Sequence, residues 1–193
     1  HILGDAAAAE DVVQDSFVKL YSKYRGKDEK NFAPLLFMDY APTGKLAVAT
    51  NLTLEEDAQV RLVQLQHGGE DSLVYNAIQG TCEKGARIEL VQIYLGKGDI
   101  YSDTTIDLQG KKSSFKSDIG YIGEQTHVID MNEVVNHFGK ATESEINVSG
   151  ALRDGAKKIF RGTISGAKGK PTNGEFIALL AEHIALRFKS ANL

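Results

Sequence analysis

The sequence has no tryptophan, three prolines in 193 residues and a single cysteine, Cys82. One cysteine rules out an intramolecular disulfide, and with it the small secreted scaffold held together by bridges. No apolar stretch approaches the roughly 20 residues that a bilayer span needs. The N-terminus also lacks the charged and apolar regions of a signal peptide, so the expectation is a cytoplasmic chain without a membrane partner. Positive charge is scarce: 22 Lys and Arg face 26 Asp and Glu, a formal net charge of −4. A non-specific nucleic-acid binder needs a basic footprint, so nucleic acid is not an expected partner. Catalytic signatures are missing too. There is no Gly-x-Ser-x-Gly elbow, and Gly166-Ala167-Lys168-Gly169-Lys170 lacks the Gly-Lys-Ser/Thr ending of a phosphate loop. The chain starts at His1 rather than Met, which makes a partial sequence the expectation.

Glycine, by contrast, is abundant at 19 residues, and from about Leu46 it punctuates short alternating stretches. Val60, Leu62 and Gln64 share one strand face, and Ile88, Leu90 and Gln92 repeat that arrangement. The segments 55–65 and 83–93 are copies offset by 28 residues, 86 − 58 counted from Ala58 to Ala86. A short period of this kind is the signature of a solenoid, each coil stacking on the last. Further strands are expected over 100–108, 115–122, 126–135, 144–148 and 157–164. Strands without helical patterns between them disfavour a βαβ fold, whereas an antiparallel sandwich satisfies the alternation as well as a solenoid does. Helical periodicity is confined to the ends. Val13, Phe17, Leu20 and Tyr24 make one apolar stripe within 5–25, and Ile177, Leu180, Ile184 and Phe188 make another within 175–189. The organisation expected is a helical segment over 1–30, a β core over 31–180 and a helical tail over 181–193.

Three motifs follow one another late in the core. They are a His137-x-Gly139-x-x-Thr142-x-Ser144 turn and strand, a Gly150-Ala151-Leu152-x-Asp154-Gly155 hairpin, and Phe160-x-Gly162-x-Ile164. This run resembles the core of the SufB/SufD family, the scaffold subunits of iron–sulfur cluster assembly, and the resemblance extends over roughly 52–180. With the 28-residue copy it implies a right-handed parallel β-helix, flanked by the N-terminal and C-terminal helices. It further implies a SufD-like, non-catalytic scaffold subunit of the SUF system. Its partners would be a SufB/SufD-type subunit or a second copy in a dimer, with a SufC-type ATPase in the full assembly. A transient iron–sulfur cluster would be built together with the partner chain. The family goes on to an Asp-Val-x-x-x-His-Gly-Ala segment and a helical C-terminal domain, which carry its cluster-linked Cys or His residues and its ATPase contact; the 193 residues contain neither. The alternative reading is a β-solenoid interaction module without metal chemistry. A separate resemblance lies near the start, where residues 9–21 are similar to the region-2 helix of extracytoplasmic-function sigma factors. That implies a sigma-like transcription component, although no basic recognition helix follows.

Two residues are candidate metal ligands. Cys82 precedes the second copy; a lone cysteine commonly packs as a small hydrophobe, and as a cluster ligand it needs thiolate character and partners from another chain. His137 opens the family's turn motif, where it either hydrogen-bonds the next coil or binds metal. No residue is a candidate for catalysis.

Overall fold

The computed structural model describes residues 11–20, 35–166, 174–179 and 183–189. In chain order the strands are β1 (Asp11–Leu20), β2 (Leu35–Tyr40), β3 (Lys45–Leu54), β4 (Gln59–Gln66), β5 (Leu73–Cys82), β6 (Arg87–Leu95) and β7 (Asp99–Leu108). They continue with β8 (Ser114–Gly123), β9 (Val128–His137), β10 (Glu143–Leu152), β11 (Lys157–Gly166), β12 (Gly174–Leu179) and β13 (His183–Lys189). The odd strands up to β11 build a first sheet in sequence order; the even strands up to β10 build a second, whose edge is closed by β13 and then β12. Every pairing between successive coils is parallel. Two strands and two corners therefore make one turn of a parallel β-solenoid of about five turns, and the antiparallel sandwich is excluded.

The copied segments stack as their period implies. Val60 lies against Ile88 and Leu62 against Leu90 across β4 and β6, and all four side chains are buried in the core between the sheets. The step per coil is not constant. It is 28 residues from β4 to β6 (87 − 59) but 26 from β5 to β7 (99 − 73) and 29 from β7 to β9 (129 − 100). The corners absorb these differences, which is why only one copy is visible in the sequence.

The corners after β3 and β5 are tight turns, closed by Ala58 N–H donating to Glu55 O and Ala86 N–H to Glu83 O, both at 3.0 Å. Their third residues, Asp57 and Gly85, sit at φ of 60° and 68°, the left-handed conformation that a type II turn demands. Lys112 and Ala141 occupy the same place in the next two corners at 62° and 53°. A backbone ladder joins them: Asp57 N–H to Lys84 O, Gly85 N–H to Lys111 O, Lys112 N–H to Lys140 O. The turn at Arg153–Ala156, expected as a hairpin, is instead a corner. It carries the chain from β10 in the second sheet to β11 in the first.

The described residues contain no helix, so the two terminal helices expected from periodicity are not confirmed. Asp11–Leu20 is a strand that pairs in register with β3 from Asp11↔Lys45 to Leu20↔Leu54. Within 175–189, Gly174–Leu179 and His183–Lys189 form an antiparallel pair laid against β10; the remainder of both expected helices lies outside the described residues. Both segments lie along an open sheet edge, where a row of unpaired backbone donors and acceptors recruits any neighbouring segment that can extend.

Candidate functional site: polar groups inside the coil

Alternation sends every second residue inward, and the register stacks inward positions into columns along the coil axis. Several of these columns are polar. Gln64 and Gln92 face Asn76 and Ser102 across the core, and the four are wired together. Asn76 Nδ2 donates to Gln64 Oε1 at 3.0 Å and to Ser102 Oγ at 3.2 Å, while Gln92 Nε2 donates to Gln64 Oε1 at 3.1 Å. Beyond them Thr104 and Glu133 are register neighbours on β7 and β9, and Ser117 points in from β8. Glu133 is 1 % exposed. Burial pushes its carboxyl up to about 8, against the Thr104 and Ser117 hydroxyls, which favour the charged form. Neither Thr104 Oγ1, Ser117 Oγ nor Glu133 Oε2 completes a hydrogen bond of good geometry. At neutral pH this interior carboxyl is therefore mostly protonated. Tyr94, fully buried beside the same group, is also pushed up by burial.

A second polar knot lies at the start of β10. His137 Nδ1 is 2.7 Å from Thr142 Oγ1 and its Nε2 is 2.9 Å from Ser144 Oγ, so hydroxyls engage both ring nitrogens. Burial holds the imidazole down at about 4, which keeps it neutral. The turn between them needs Gly139, because a Cβ there would stand 2.3 Å from Gly110 O of the preceding coil.

Cys82 faces inward between Leu54 and Leu108, fully buried. Burial pushes its thiol up to about 12, the protonated state, whereas a metal needs the thiolate. Cys82 and His137 share one inward column but Leu108 stands between them, a separation of two strand spacings, roughly 9–10 Å. The structure thus does not bring the two candidate ligands together. Among the described residues no group of three or more His, Cys, Asp or Glu is placed to hold a metal ion. The donors present do not fit a resident cluster.

Comparison with family models matches residues 36–175 to the SUF system FeS cluster assembly, SufBD core domain. The chain belongs to the SufBD core family. Comparison with curated proteins and with solved structures returns no match. In this SufBD core the motif residues hold coils together. His137, Thr142 and Ser144 form the knot just described, and Gly150 passes so close to Tyr121 that a Cβ would meet its carbonyl oxygen at 2.2 Å. Asp154, at φ 60°, accepts the Gln125 N–H at 3.2 Å, while Phe160 and Ile164 pack on the core. Sequence reasoning missed the interior network around Glu133. Its one trace was glutamine repeating at the inward position of both copies, Gln64 and Gln92.

The burial of Cys82 makes a direct prediction. Cys82→Ser places a hydroxyl among Leu54 and Leu108, and stability in urea is expected to fall by roughly 1 kcal/mol. Iron content after anaerobic incubation with iron and sulfide is expected to match the unsubstituted chain. Loss of iron with an unchanged circular dichroism spectrum would make Cys82 a ligand.

Proposed function

We propose that the chain is a non-catalytic scaffold subunit of the SUF system, one wall of the surface on which an iron–sulfur cluster is assembled. The observation that carries this reading is the SufBD core match over residues 36–175. Its physical support is a stiff, continuously hydrogen-bonded rod whose motif residues shape the coil. The cluster is cargo in this account, and its ligands come from a SufB/SufD-type partner, since the interior donors of this chain are sealed by burial and by one another. A SufC-type ATPase supplies the driving reaction from a separate subunit. No helix among the described residues is long and apolar enough to cross a membrane, and the proposed compartment is the cytoplasm.

Co-expression with SufB-type and SufC-type subunits tests the reading. The expected result is a complex that survives affinity purification through a tag on this chain and contains both partners. Recovery of the tagged chain alone, folded by circular dichroism, would overturn it.

A further inference from the structure

Outward positions of the first sheet stack into columns just as inward ones do, and two adjacent columns enclose a trough of about 350 Å³. One column steps from Ala49 through Ala77 and Asp103 to Asn132 and Arg161. The other sets Tyr75 beside Tyr101, followed by Asp130. The two tyrosine rings stack with centroids 5.2 Å apart and planes 19° from parallel. They stand as a wall beside the two alanines, whose methyl groups leave the space above them open and form an apolar floor. From Ala49 to Asp103 is two coil steps, roughly 9–10 Å. At that end the trough turns polar: Asn132 Nδ2 donates to Asp103 Oδ2 at 3.1 Å, and Arg161 pairs with Asp130.

We propose that this trough binds a small organic cation, a flat apolar body carrying an amidinium, guanidinium or ammonium head. Three observations select that ligand. The first is shape: the volume lies in the range of small-molecule sites, and the floor has the length of a molecule of one or two rings. The second is charge. Among the described residues two carboxylates line the polar end against one guanidinium. Arg161 neutralises Asp130, whereas Asp103 has the neutral Asn132 as its partner. A cationic N–H donor arriving at Asp103 makes a charge-assisted hydrogen bond, and the tyrosine rings beside it add their own attraction for positive charge. An anionic head meets repulsion at the same place. The third is the backbone. A peptide that adds itself as a strand needs unpaired N–H and C=O groups, but β3, β5, β7 and β9 are each paired on both sides. The inference goes beyond the scaffold reading and stands without it, because neither iron nor another subunit takes part.

An NMR titration of the full chain with benzamidine tests it. Saturable shifts are expected at the amides of Ala49, Ala77 and Asp103, with a Kd of about 1 mM or tighter. Benzamide and benzoate share the shape but are neutral and anionic, and both are expected to bind at least about tenfold more weakly. That comparison needs no variant. Asp103→Asn keeps the size of the side chain and removes its charge, and is expected to weaken benzamidine by about tenfold or more. Ala77→Leu fills the floor and is expected to abolish binding. The control is Asp118→Asn on the outward face of the second sheet, where Asp118 pairs with Lys116; it is expected to leave the affinity unchanged. Circular dichroism checks that each variant folds. Absence of saturable shifts up to about 10 mM, equal affinity for the three ligands, full affinity in a folded Asp103→Asn or Ala77→Leu chain, or an equal loss in Asp118→Asn would each overturn the proposal.

Discussion

Replacing Glu133 with Gln is expected to flatten the dependence of stability on pH above about 5. The carboxyl is raised from the ordinary carboxylate range to about 8 in the folded chain, first by burial and then by the nearby Asp103 charge. An acid raised in this way binds its proton more tightly folded than unfolded. Its contribution is fully present below the unfolded value and is lost as pH rises through the folded one. Ionising Glu133 thus costs the folded state about 4 kcal/mol between roughly pH 5 and pH 9. Urea unfolding at pH 5, 7 and 9 checks this. The unsubstituted chain is expected to lose about 4 kcal/mol over that range, and Glu133→Gln to lose little of it, with a gain near neutral pH. Equal slopes for the two would mean that the carboxyl is solvated or satisfied in solution.

Leu90→Ala is expected to remove about 2–5 kcal/mol, the usual cost of a cavity where a large buried side chain stood. Leu90 is buried between Leu62 and Ser117 of the neighbouring coils. In a solenoid each coil contacts only its neighbours, so the damage is local before it is global. Hydrogen exchange is expected to accelerate first in β4, β6 and β8. Thr105→Ala, on the outward face, is expected to stay within about 0.5 kcal/mol. Equal losses for the two would contradict the inward assignment of Leu90.

The core of the fold was legible because burial on one face enforces a period of two. Val60 and Leu62 could be matched to Ile88 and Leu90 from the sequence because their corners have equal length. Where corners differ, the same stacking leaves no fixed offset, as between Asn76 and Ser102. The ends are less legible. Val13, Phe17 and Leu20 satisfy a helical stripe, whereas Asp11–Leu20 pairs along the free edge of β3. The hairpin reading of Gly150–Gly155 failed because a corner and a hairpin use the same turn residues, and only the destination of the next strand separates them. His137 stands out in the sequence as a motif residue, but its contacts with Thr142 and Ser144 on the two ring nitrogens are visible only in the fold. Glu133 sits among Ile129, Met131 and Val135 in an inward run, and one acid in such a run gives the sequence no sign of what surrounds it.

The most direct test of the central claim follows the rate at which an iron–sulfur cluster forms on a SufB-type partner, supplied with iron, sulfide and a SufC-type ATPase, with and without this chain. Anaerobic absorption spectroscopy reads the rate. The account predicts faster formation, a larger final cluster yield with the chain present, and no cluster on the chain alone. An unchanged rate and yield, with the chain folded and in excess, would contradict a role in cluster assembly.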